Sequence, residues 1–215
     1  LFLTANDLES EGFEGAKYIC SPPPRTVKDQ EKIWLGIKTG VFQVFSSDHA
    51  PFRFDDDQGK QVKGSKTKFC NVPNGLPGIE TRMPLLMSKG VLENRIDIQT
   101  FVSLTSTAPA KIYGLYPRKG TIAPGSDGDL VIWDTKRNFS LSNSMLHHNV
   151  DYTPYEGMKF KAWPKTVLSR GKLIIDNGVL KAKKDHGNFL KSELPLPAKT
   201  FDKSSLIERI EKLTF

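Results

Sequence analysis

The sequence predicts an α/β body followed by a small antiparallel β module. Three observations carry that prediction. Residues 16–45 read as strand, helix, strand within about 30 residues, the spacing of a βαβ unit. Both strands of that unit are apolar with little alternation, as expected where a parallel sheet is covered on both faces. From Tyr116 onward the pattern shifts to short apolar runs divided by glycine turns, which predicts hairpins.

The first strand is expected at residues 16–20, "AKYIC". Ser21 and the run Pro22, Pro23, Pro24 end it, because proline has no N–H to give to a ladder. "VKDQEKIWLGIK", residues 27–38, has apolar residues at helical spacing, and Gly40 is its expected C-cap. The second strand is expected at residues 41–45, and it delivers Asp48 and His49 to a turn before Pro51. The polar stretch "RFDDDQGKQVKGSKTKF" is too long for an idle connection and reads as an excursion or lid. Helices are expected near residues 80–89 and 98–115. The second begins after Asp97 and places Phe101, Leu104, Ile112 and Leu115 on one side. A strand follows at residues 130–133. The segment "TVLSRGKLIIDNGVLK" then gives a strand ending at Ser169, a turn at Gly171, a strand at residues 173–175 and a tight "DNG" turn. Residues 182–215 are polar and proline-containing. They read as an arm with a short amphipathic helix at 205–213.

Composition narrows the function classes. The chain has 215 residues, 38% hydrophobic and 26% charged, enough for a packed core. No run approaches about 18 consecutive apolar residues, so no membrane span is expected. The net charge is +7, but the basic residues sit in short clusters such as "KGSKTK" and "KAKKDH", mixed with acids. There is no arginine-rich arm, so a solvated basic surface is expected rather than a nucleic-acid groove. Two cysteines, Cys20 and Cys70, are too few for a disulfide framework. They point to a reducing compartment, the cytoplasm, and to buried thiols. "LFLTANDLES" reads as the interior of a longer sequence.

Chemistry is expected at the ends of the parallel strands, where α/β folds place their sites. Ser21 and Asp48 both lie just past a predicted strand. A carboxylate at that point can bind a metal or carry a proton, or it can simply cap a turn. His49 reads as a supporting residue, and His147 and His148 as loop residues, since they lack the i, i+4 spacing of a helical metal site. Gly75 and Gly78 in "NGLPG" suggest close backbone approach to something bound, and Asn74 reads as a turn former.

Taken in order, "KYICSPPPR", "SSDHAPF", "VPNGLPGIETRMPLL", "TSTAPAKIYGLYPRKGTIAPGSDGDLVIWD", "YEGM" and "SRGKLIIDNG" resemble the C-terminal part of dihydropyrimidinases and hydantoinases. These are cyclic-amide hydrolases of the amidohydrolase superfamily. The resemblance covers roughly residues 15–179. It implies the last strands of a (β/α)8 barrel over residues 1–115, strands of a small β-sandwich over 116–181, and an oligomer-contact arm over 182–215. It further implies that Asp48 is a ligand to one of two zinc ions and the proton carrier. By the same resemblance Ser21 and Asn74 meet the substrate through backbone groups. A carboxylated lysine bridges the zinc ions in the family, but the sequence here has no matching lysine, HxH pair or further histidines. The implied reaction is hydrolysis of dihydrouracil and dihydrothymine to N-carbamoyl-β-amino acids, in a cytoplasmic homotetramer. Hydantoinase, allantoinase and dihydroorotase remain alternatives, as does a non-catalytic relative of the collapsin-response-mediator type. Phe52 stands where dihydroorotases commonly carry a histidine, which suits an uncharged ring.

Overall fold

A threonine and an aspartate three residues apart start the longest helix, Val27–Thr39. Asp29 Oδ2 accepts from the Thr26 amide at 2.9 Å and from the Thr26 hydroxyl at 2.6 Å, closing a capping box. The other end closes as a Schellman motif. Gly40, at φ +80°, donates to Ile37 O, and Val41 donates to Gly36 O at 2.8 Å. The helix and its glycine cap are therefore as the sequence predicts. Between those ends the helix buries Trp34 and Ile37, and the ring of Phe2 meets Trp34 edge to face at 5.9 Å.

The computed structural model describes residues 1–197, so the expected helix at 205–213 lies outside the described residues. Two units interleave along the chain. One holds residues 1–35, 46–83 and 139–159, and the other holds residues 36–45, 84–138 and 160 onward.

In the first unit, one expectation fails. Residues 16–20 are not a strand. A 3₁₀ helix occupies Glu14–Tyr18, because the Ala16 and Ile19 amides turn to the nearby carbonyls of Phe13 and Ala16. The polar stretch after Asp48, expected as an excursion or lid, has structure of its own. It forms a short strand, Val62–Ser65, and sends Lys60 into the interior with no exposed surface. An aromatic cluster runs Phe13, Phe54, Tyr152 with centroids 6.0 and 6.1 Å apart, and Lys17 Nζ caps Phe54 at 4.4 Å. Asp151 fixes the Phe54 turn by accepting from the amides of Phe54 and Asp55, both at 2.7 Å.

In the second unit, residues 41–45 do not form the expected strand. They make no ladder among the described residues; the Val41 and Phe42 amides turn back to Gly36 O, and the Phe45 amide donates to Leu104 O at 3.0 Å. Strand propensity alone does not supply a ladder partner. The two expected helical regions are present. The first is Arg82–Leu85 continued by a π turn at Leu86–Val91. The second runs through Ile98–Val102, Ser103–Thr107 and Ala108–Ile112, its middle again a π turn. Asp97 caps it, accepting from the Thr100 amide at 2.6 Å. Phe101 and Leu104 are buried as expected, whereas Ile112 is exposed. The wider π turn shifts the phase of everything after it, which carries Ile112 off the core face.

The β module forms an antiparallel sheet of Leu130–Asp134, Trp163–Ser169, Lys172–Asp176 and Val179–Leu180, in that order. Its turns sit at the predicted sites. Arg170 and Gly171 adopt φ +47° and +71°, and Asn177 and Gly178 adopt +47° and +80°, as two-residue hairpin loops require. Ser88 ties the first helical region to this module, accepting from the amides of Lys161 and Ala162 at 3.1 Å each. Residues 183–197 carry no helix or strand, and Glu193 and Leu196 donate back to Gly114 O and Lys111 O. Among the described residues no helix is long and apolar enough to cross a membrane.

Candidate active site

Three short pieces of backbone meet in the first unit. Gly75 donates its amide to Ile19 O at 3.1 Å, and His49 and Leu76 form a parallel bridge, with Ala50 donating to Leu76 O at 3.1 Å. The strip 74–76 therefore lies between the chain leading to Ser21 and the chain leading from Asp48. One parallel bridge and one further backbone bond thus lie where the sequence puts its candidate residues.

Ser21 and Asn74 line one cleft of about 570 Å³, together with Phe13, Ile19, Thr67 and Cys70. That volume suits a small organic ligand. Asp48 is exposed and lies outside this lining. Its carboxylate accepts no hydrogen bond and joins no ion pair among the described residues, so it is available to a ligand. Its influence reaches Cys20, whose thiol is pushed up by burial first, pulled down by the Lys60 charge and pushed up again by Asp48.

His49 supports the turn. Its Nδ1 accepts from the amides of Gly78 at 3.0 Å and Ile79 at 3.3 Å, which leaves the neutral ring's proton on Nε2. His147 is engaged by Glu80, through the ring at 2.9 Å and through its amide at 2.8 Å. His148 Nε2 lies 2.8 Å from Asn143 Oδ1. Among the described residues, no group of three or more His, Cys, Asp or Glu could hold a metal ion. Asp48 therefore belongs to no such group among the described residues.

The Gly75 backbone packs closely against Ala50. A side-chain carbon added at Gly75 would meet Ala50 Cβ at 2.4 Å, while Gly78 faces open space. Cys70 is exposed rather than buried, because its 3₁₀ turn, Phe69–Asn71, sits at the surface.

One residue escapes sequence reasoning altogether. Lys60 Nζ donates to Ile19 O at 2.9 Å, Pro73 O at 2.7 Å and Gly75 O at 2.9 Å. The only signal was the preceding glycine. A side-chain carbon at Gly59 would stand 2.2 Å from Arg53 O, and Lys60 donates its own amide to that carbonyl.

Residues 15–174 match the Amidohydrolase family. The D-hydantoinase of Rhizobium radiobacter is 46% identical over 191 residues, 89% of this chain and 41% of its own length. The D-hydantoinase of Ralstonia pickettii is 44% identical over the same extent. Among solved structures, D-hydantoinase from Bacillus sp. AR9 has a TM-score of 0.85 at 40% identity, covering 91% of this chain and 42% of that one. Dihydropyrimidinase from Brevibacillus agri has a TM-score of 0.79 at 42% identity, covering 84% and 38%. The chain spans about two fifths of the length of the relatives it matches.

Proposed function

From the premise that this chain belongs to the amidohydrolase family, we propose that it carries part of the active site of a cyclic-amide hydrolase. The substrate would be a 5,6-dihydropyrimidine ring, opened to an N-carbamoyl-β-amino acid. A five-membered hydantoin ring is the second reading, favoured by the names of the relatives at 46% and 44% identity. The observation that carries the proposal is the junction itself. One backbone strip, 74–76, is bonded on one side to the Ser21 approach and on the other to the turn that follows Asp48.

Asp48 is the residue this chain offers to a metal. When bound, a pair of zinc ions would lower the pKa of a shared water and polarise the ring carbonyl. The other ligands, the carboxylated lysine included, have no counterpart among the residues of this sequence. Asp48 accepts a proton as water adds to the carbonyl carbon, and returns it to the ring nitrogen as the C–N bond breaks. Ser21 and Asn74 present main-chain N–H and C=O groups, which match the alternating donors and acceptors of an imide edge. We further propose that the whole protein is a cytoplasmic homotetramer, a state that sedimentation would read directly.

The test is turnover by the complete, zinc-loaded enzyme. Dihydrouracil is expected to be hydrolysed, with hydantoin next, and dihydroorotate and allantoin left intact. Hydrolysis of hydantoin without dihydrouracil moves the assignment to the second reading. Inactivity on all four rings, with no metal retained, points to the non-catalytic relative.

A further inference from the structure

We propose that Lys60 is the positioning residue of this site, a cation that locks the two backbone anchors, at Ser21 and Asn74, into one rigid unit. The inference rests on the reading of those anchors as substrate contacts. Its basis is a match of number and direction. An ammonium has three N–H donors and no acceptor, and Lys60 Nζ is met by three carbonyls at 2.7–2.9 Å. Its side chain is wholly buried, and among the described residues no carboxylate shares it in an ion pair. The three carbonyls belong to Ile19, two residues before Ser21, and to Pro73 and Gly75, which bracket Asn74.

The bracketing sets the direction of both Asn74 backbone groups. In a trans peptide the C=O and the following N–H point opposite ways. Pro73 O is turned to Lys60, so the Asn74 N–H points away from it. The Gly75 N–H is turned to Ile19 O at 3.1 Å, so the Asn74 C=O points away from Ile19. Ile19 O is itself held by Lys60, so one cation orients the donor and the acceptor that a cyclic imide needs. Without it, those planes can rotate while the chain around them remains folded.

The experiment compares the complete metal-loaded enzyme with Lys60→Met, which keeps the length and loses the donors, and Lys60→Gln, which keeps two donors. Each is assayed on whichever cyclic amide the parent hydrolyses. KM is expected to rise at least ~10-fold in Lys60→Met, and less in Lys60→Gln, with kcat within ~5-fold of the parent, because a ground-state anchor is lost. Amide exchange at Gly75 should accelerate at least ~10-fold while exchange in the sheet of the β module stays at the parent rate. A parent that opens no cyclic amide sinks the substrate reading alone, and the exchange measurement then decides for Lys60. Unchanged KM together with unchanged exchange at Gly75 overturns the proposal. Global unfolding of both variants also overturns it, in favour of a purely structural lysine.

Discussion

Asp48 and Lys60 are opposites at the residue scale. Asp48 is exposed and without a protein partner among the described residues, so removing it should leave stability alone. In the complete enzyme, Asp48→Ala is expected to lower kcat by at least ~10²-fold, the range of a lost proton carrier. Its unfolding free energy should stay within ~0.5 kcal/mol of the parent, as for other surface changes. A near-normal kcat would remove Asp48 from the mechanism. Lys60 is buried and fully bonded, and burial lowers its pKa from 10.5 to about 8. That difference corresponds to roughly 3 kcal/mol of cost to keep the charge inside. Between about pH 8 and 10.5 the unfolded chain holds a proton that the folded one has released. This group's contribution to stability therefore rises with pH across that window, and the cost of its charge is present in full below it. Function should go the other way. A neutral amine has only two N–H donors for three carbonyls, so one anchor loosens above about pH 8. The titratable neighbour is the Cys20 thiol, which Lys60 pulls down against the larger effect of burial. The alkaline fall of kcat/KM in the parent should accordingly flatten in Lys60→Met, at a lower plateau. An alkaline limb of the same slope in both would show that another group titrates.

At the element scale, what could be read in advance was local, and what could not was pairing. The hairpins at Arg170–Gly171 and Asn177–Gly178 were legible because positive φ is a property of the turn residues themselves. Gly40 announced a helix end for the same reason, and Asp97 announced a helix start because its carboxylate can accept from the first-turn amide of Thr100. Residues 16–20 and 41–45 had strand composition, but a strand exists only where another backbone accepts its bonds, and no sequence window contains that partner. The exposure of Ile112 was hidden because a π turn changes the period midway through a helix. Ser88 was equally invisible, a small polar residue in an apolar run. It is 1% exposed and satisfies two amides of the entering β segment. Ser88→Ala should orphan both and cost roughly 2–3 kcal/mol, beyond the ordinary loss of one hydrogen bond. Equilibrium denaturation of the complete protein checks this, and a change below ~0.5 kcal/mol would mean that water replaces the hydroxyl.

At the scale of the whole molecule, the candidate site was legible in part, and the reason lies in how such sites are built. Ser21 stood out as the residue past an expected strand, whereas Asn74 read as a turn former and took a substrate role only from the family resemblance. Asp48 could be named because it ends an apolar run. Lys60 could not, since "DDDQGKQVKGSK" has the composition of a solvated surface. The same limit governs metal binding. A stable zinc site draws three or four ligands together, each deprotonated and held by an outer partner. Among the described residues the histidines of the first unit are already committed, His49 to Gly78 and Ile79, His147 to Glu80 and His148 to Asn143. Among the described residues no three such donors converge. The 215-residue chain by itself should therefore hold less than ~0.1 zinc per chain after dialysis, because a single carboxylate offers too little to retain the ion. It should also leave dihydrouracil intact at neutral pH. The complete enzyme should keep two ions per subunit and lose activity to a chelator. Stoichiometric zinc on the short chain, abolished by Asp48→Ala, would show that it assembles a metal site from its own residues, and the division of labour proposed for Asp48 would have to be redrawn.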